Sequence, residues 1–220
     1  MITRRALLGG AAGTGVLALL PHTPALAAEE HGQTWSGEVS TNGWRIDPTT
    51  ISFHTIQGSE AAVALRQGAV AAVLLHVARR WHYEIAPLDT GEGGGITGYT
   101  AQRAVKAHFE SNYLSGTAIA IHPTAFPVGG SERLWAQHEA IVRDILLDGE
   151  GVVAWGGDLT PTKFSHFEIA VPPGEEVLAQ VAARLDTSMH RELMAQTAGQ
   201  VADPATPARR RQATRPLRTR

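Results

Sequence analysis

The sequence predicts an α+β domain in which a small antiparallel sheet is flanked by helices. Three observations carry this. Two long stretches repeat apolar residues at helical spacing, short β-branched runs cluster late in the chain, and neither a regular strand–helix–strand alternation nor an internal repeat is present.

Taken in order, Ser36 to Thr50 (SGEVSTNGWRIDPTT) is rich in turn formers, with the turn dipeptide Asn42-Gly43. Ile51 to Gly58 (ISFHTIQG) is short and alternating, as a strand requires. Glu60 to Trp81 reads as a helix with Gly68 as its weak point, because Val70, Val73, Leu74, Val77 and Trp81 fall three and four residues apart. His76 lies on that face and is expected to be a satisfied buried or boundary histidine. His82 to Ile85 reads as a strand. The glycines between residues 91 and 95 read as a surface turn, since no Lys-Ser/Thr pair follows to make a phosphate loop. A helix is predicted over Ser131 to Leu147, capped by Ser131, with Leu134, Ile141, Ile145 and Leu146 as its stripe. Gly151 to Trp155 and His166 to Val171 follow as strands, and Pro172-Pro173-Gly174 stops the second. The last helix is predicted from Glu175 to Leu185 and on to about Ala198.

The ends differ in composition from this middle. Residues 1–27 carry Arg4 and Arg5, an apolar stretch from Ala6 to Leu20 and the small residues Ala25-Leu26-Ala27, the pattern of a twin-arginine export signal. Residues 28–41 read as a linker, 42–198 as the folded domain, and 199–220 as a basic disordered tail. That tail holds six arginines among Pro, Ala and Thr and lacks the apolar surface to order itself. It is suited to an anionic cell-wall polymer. Removal of the signal would leave no transmembrane segment, and the expected location is extracellular or cell-wall associated. Between residues 28 and 200 there are 11 Lys and Arg against 20 Asp and Glu, a net of −9, which argues against a nucleic-acid binder. The chain has no cysteine, so a disulfide framework is excluded.

Several blocks occur in a fixed order: NGW at 42–44, LLHVARRWHYEI, GYTAQRAVK, SNYLSGTAIAI at 111–121, FPVGG, EGVVAWGGD and HFEI. In this order they resemble the zinc D-alanyl-D-alanine carboxypeptidases of the vancomycin-resistance type, whose fold also serves phage L-alanyl-D-glutamate endopeptidases and the Hedgehog signalling domain. The resemblance runs from about Asn42 to Pro173 and implies a Hedgehog/DD-peptidase-like domain acting on peptidoglycan stem peptides or other cell-wall peptides.

In that family a His and an Asp of a His-x6-Asp motif and a later His hold the zinc, and a carboxylate three residues before the last His is the general base. A catalytic zinc needs three protein ligands and an open position to lower the pKa of its water. Carried over, Tyr113 stands at the first His position, Ala120 at the Asp position, His166 at the second His position and Lys163 at the base position. Alanine cannot ligate, and an ammonium beside a metal cation is repelled. The resemblance therefore implies a degenerate site with no catalytic residue, and no cofactor. Arg103 and Ser111 match positions that hold substrate, the guanidinium being suited to a peptide carboxylate. Glu168, two residues past His166, belongs to the shared HFEI ending and is assigned no catalytic role. The alternative is an active zinc peptidase with a rebuilt site. If residues 117–122 form a strand, Ala120 and His122 share a face, and His122 with His166, helped by Tyr113 or His108, becomes the candidate ligand set.

Overall fold

The computed structural model describes residues 32–186 and Arg211, all within the unit His31–Arg220. The predicted signal at 1–27, the extension of the last helix towards Ala198 and, Arg211 apart, the basic tail lie outside the described residues. In chain order the elements are β1 (Gln33–Thr34), β2 (Ile51–Thr55), β3 (Ala62–Arg66), α1 (Ala69–Glu84), β4 (Ile96–Thr97) and β5 (Ala104–Val105). Then come α2 (Ser111–Leu114), β6 (Ala118–Ile121), α3 (Ala136–Asp148), β7 (Val153–Trp155), β8 (His166–Ile169) and α4 (Glu176–Leu185). The architecture is α+β, as the sequence predicts. A four-stranded antiparallel sheet has the order β4-β6-β8-β7, and two separate ladders join β2 to β3 and β1 to β5.

Alternation in β6 and β8 divides the sheet into two unlike faces. Ala118 pairs with Glu168, Ile119 with Phe167 and Ala120 with His166. Successive side chains point to opposite sides. Ile119, Ile121, Phe167 and Ile169 therefore join the main core with the buried stripes of α1 (Val70, Val73, Leu74, Val77, Trp81), α3 (Val142, Ile145, Leu146) and α4 (Leu178, Val181). Trp81 meets Phe167 edge-on at 5.9 Å between ring centres. On the opposite face Ala118 and Ala120 form a small cluster with Tyr113 of α2. Every residue of β6 is consequently buried, where alternation alone predicts a half-buried strand.

Several boundaries depart from the sequence reading. The predicted helix from Glu60 begins instead with β3, because Ala62–Arg66 pairs residue for residue with β2 as a hairpin. Gly68, at φ 82°, then breaks the strand and α1 starts at Ala69. The strand predicted over His82–Ile85 is the last turn of α1, where Arg80 reaches Glu84 one turn on (Nη2–Oε2 2.6 Å). The helix predicted from Ser131 starts five residues later at Ala136, with no side-chain cap, while Leu134 is buried ahead of it. His76 is satisfied, as expected, by Asp148 (2.9 Å) and Arg79 (3.0 Å). The 28–41 span is more than a linker from Gln33 on. β1 pairs with β5, Ser40 bonds Ser115 (2.8 Å), and Thr41 bonds Ser111. Among the described residues no helix is long and apolar enough to cross a membrane.

The turn Asn42-Gly43 ties this segment to the sheet. Asn42 donates to Thr117 Oγ1 (2.8 Å) and to the Ile169 carbonyl (2.9 Å), and Trp44 Nε1 donates to the Val171 carbonyl (2.9 Å). Gly116, between α2 and β6, is the tightest joint. Its φ is 68°, its carbonyl accepts the Arg66 N–H (2.9 Å), and a Cβ there would lie 2.4 Å from Ile51 Cδ1 and 2.8 Å from Arg66 N. Left-handed geometry alone costs a non-glycine residue about 1–2 kcal/mol, and the backbone contact adds to it. Gly116→Ala is expected to lower stability by at least about 2 kcal/mol, read as a fall in the urea midpoint at unchanged slope.

Candidate functional site

The α2 face of the sheet holds what the sequence marks as the site. Ala120 and His166 are register partners, so position 120 lies beside the imidazole from the neighbouring strand. α2 lays Tyr113 over the same point, its hydroxyl 2.7 Å from His166 Nδ1. Gly156 brings the turn before β8 close. Its carbonyl accepts the Lys163 N–H (2.9 Å), the Lys163 carbonyl accepts the His166 N–H (2.9 Å), and a Cβ at Gly156 would sit 2.2 Å from that carbonyl oxygen. Positions 113, 120, 163 and 166 thus converge.

What they build is a closed hydrogen-bonded chain. His166 Nε2 lies 2.7 Å from Glu168 Oε2, and Asn112 Nδ2 donates to that same oxygen at 2.6 Å. The arrangement that satisfies each atom has Tyr113 donating its proton to Nδ1 and the Nε2–H donating to Glu168. His166 and Asn112 are fully buried. Burial, reinforced by the charges of Glu110 and Glu168, pushes the Tyr113 phenol well above its ordinary pKa. Burial likewise holds His166 below its ordinary value, outweighing the hydrogen bond and charge of Glu168 that favour the protonated form. Phe109 covers the imidazole at 4.7 Å between ring centres.

Lys163 stands at the edge of this chain. Its ammonium lies 4.8 Å from the centre of the Tyr113 ring and 2.7 Å from Glu110 Oε1, in an ion pair with little exposure on either side. Burial raises the Glu110 pKa, but the Lys163 charge and hydrogen bond, with the Lys106 and Ala107 amides, outweigh it and hold the carboxyl below its usual range. Glu110 and Asn112 are the members that sequence reasoning missed, and Glu168 was named there without a role. Glu168 was legible as a face-mate of His166. A buried lysine also calls for a carboxylate nearby, though nothing in the spacing singles out Glu110.

The remaining candidates are placed elsewhere. His122 and Ala120 do not share a face. β6 ends at Ile121, His122 takes φ 51°, and its ring turns to the main core, 6.0 Å from Trp81. His122 and His166 therefore lie on opposite sides of the sheet. His108 is exposed, with its ring against Trp35. Ser111 is buried, donating to the His108 carbonyl (2.8 Å) and accepting from Thr41 N (2.9 Å), so it is a turn serine. Arg103 is exposed, and its guanidinium is held by the carbonyls of Trp35 (3.1 Å) and Gly37 (2.9 Å). Asp158, the last residue of the EGVVAWGGD block and not among those candidates, is paired with Arg143 (2.6 Å). Among the described residues no group of three or more His, Cys, Asp or Glu side chains is arranged to hold a metal ion.

This donor set does not fit zinc. One position offers a methyl group, one an ammonium already paired, and the imidazole has both nitrogens engaged within the protein. Comparison with protein-family models, curated proteins and solved structures gave no match.

Two outcomes follow from the geometry. Tyr113→Phe keeps the ring but leaves Nδ1 without a donor in a buried place, and is expected to cost about 1–3 kcal/mol. The pH dependence has a definite sign. A histidine whose folded pKa is depressed leaves the unfolded chain the better proton binder, so the stability it contributes is complete above about pH 6.5 and declines as pH falls towards the folded value. Denaturant titrations between pH 7.5 and 5, a range chosen to straddle about 6.5, should show falling stability with acid. The slope should be shallower in His166→Gln.

Proposed function

We propose that the chain is an exported domain of the D-alanyl-D-alanine carboxypeptidase type, with the Hedgehog/DD-peptidase-like fold, that binds or scaffolds cell-wall peptides without hydrolysing them. The observation that carries this reading is the engagement of both His166 ring nitrogens, by Tyr113 and Glu168, where the resemblance places a zinc ligand. For a metal to bind there it would have to displace the phenol, lie beside the Lys163 ammonium and take nothing from Ala120. Conserving the fold while filling the reaction centre suits a domain that recognises peptidoglycan stem peptides rather than cutting them. Zinc enters only if the site is rebuilt, and the separation of His122 from His166 across the sheet does not support that alternative. Arg103 is the substrate-holding candidate still at the surface. Its partners are neutral carbonyls, and a peptide carboxylate, as a charged acceptor, competes well with them. The basic tail fits an anionic cell-wall polymer, and the twin-arginine pattern supports export.

The test is calorimetric binding of a stem peptide ending in D-Ala-D-Ala, with release of D-alanine followed in parallel, with and without added zinc. Binding without release is expected, weakened about tenfold by Arg103→Ala, as loss of a charge-assisted bond implies. Zinc-dependent release abolished in His166→Ala would overturn the reading, as would the absence of binding to any stem peptide. A second measurement probes the place of the site. Because positions 113 and 120 approach His166 from two sides, the Tyr113→His/Ala120→Asp variant is expected to retain zinc after dialysis while the parent chain does not. A folded variant without zinc would contradict that placement.

A further inference from the structure

His122 lies outside the candidate site and bonds through its N–H, its carbonyl and its ring. It ends β6 in the left-handed region, uncommon for a residue with a side chain though histidine is among those enriched there. Its N–H donates to the Gly95 carbonyl (2.6 Å), and its own carbonyl accepts from Ala125 and Phe126 (both 3.1 Å). Ring Nδ1 lies 2.8 Å from the Glu92 carbonyl, and Thr124 N–H donates to the Gly93 carbonyl (3.0 Å). Residues 122–124 thus clasp the glycine loop through three of its carbonyls. Gly93 rests directly on the ring, where a Cβ would come within 2.7 Å of His122 Cβ and 2.9 Å of Nδ1.

One atom of this residue is left over. A carbonyl can only accept, so Nδ1 carries the proton, and in the neutral ring Nε2 then presents a lone pair. Nε2 is buried and has no hydrogen-bond partner among the described residues. The indole Nε1 of Trp81, whose ring centre is 6.0 Å away at a tilt of 49°, is likewise buried without a partner, and it can only donate. Trp81 is 1% exposed and His122 6%. Two orphaned polar atoms on neighbouring rings, each costing about 1–3 kcal/mol, call for a partner. Their chemistry restricts it. A cation is repelled by the indole N–H, an anion by the imidazole lone pair, and an apolar group satisfies neither. A small neutral molecule with one acceptor and one donor serves both.

We propose that a buried water bridges Trp81 Nε1–H and His122 Nε2, and that this bridge fixes the His122 ring as the clasp of the 91–95 loop. Water accepts from the indole and donates to the imidazole, which also holds the ring in the Nδ1–H form that the Glu92 carbonyl requires. Such internal waters recur where buried polar groups lack direct partners. The site owes nothing to the proposed peptide function.

A crystal structure at high resolution is expected to place one water at about 2.8–3.2 Å from both nitrogens. In solution, an NMR cross-peak should join long-lived water to the Trp81 indole proton, with His122 as the Nδ1–H tautomer. Trp81→Phe keeps a ring but removes the donor, so the His122 and Thr124 amides should exchange about fivefold faster or more, the equivalent of one weakened buried hydrogen bond. A direct N–H···N bond between the two rings, or an indole proton with no water cross-peak, would overturn the proposal. Unchanged amide exchange in a folded Trp81→Phe protein would overturn the clasp. If that variant does not fold, the measurements on the parent protein decide the water.

Discussion

The hydrogen-bonded chain from Tyr113 through His166 to Glu168 and Asn112 is the constraint around which the rest of this domain is arranged. It joins α2 to β8 across the small-residue face of the sheet, in a place with no solvent to share the polar groups. Inside a low-dielectric interior a satisfied polar network is strong, and a half-satisfied one is worse than an apolar core. That asymmetry explains the residues around it. Ala118 and Ala120 must be small for Tyr113 to reach the imidazole, Phe109 must seal the ring, and Gly116 and Gly156 must lack side chains for the flanking backbones to approach. The ion pair of Lys163 with Glu110 closes the remaining side.

A zinc ion in such a position would be both a reaction centre and a cross-link between elements. Here Tyr113, His166 and Glu168 make a cross-link by hydrogen bonds. A phenol kept protonated and an imidazole kept neutral form a pair that neither takes nor gives a proton near neutral pH, for the burial that raises the one pKa lowers the other. The opposite face of the sheet is an ordinary apolar core of aromatic and branched residues from three helices. The two faces therefore divide the work, one supplying hydrophobic stabilisation and the other a specific polar tie.

Much of this was legible in the sequence, and the failures have physical causes. The alternation in AIAI and HFEI and the three-and-four spacing in VAAVLLHVARRW identify the sheet and α1, because burial enforces those periods. The β3 strand was hidden because AVALR is too rich in alanine to differ from a helix until β2 pairs with it. The α1 terminus was misread because His82 and Tyr83 suggest a strand, whereas the Arg80–Glu84 pair extends the helix. Within the site, the grouping of Tyr113, Ala120, Lys163 and His166 was implied by the resemblance. The role of Glu110 was not, since it depends on a contact 53 residues away in sequence. His122 was misplaced because strand alternation was carried one residue past the end of β6, where a left-handed residue reverses the side chain.

The central claim is that His166 is a neutral, doubly engaged cross-link and not a vacated metal ligand. Nitrogen-15 NMR of its ring during a zinc titration tests this directly. The account predicts a protonated Nε2 and a hydrogen-bonded, unprotonated Nδ1, with neither resonance moved by stoichiometric zinc. A coordination shift at either His166 nitrogen, saturating at one zinc per chain, would contradict it.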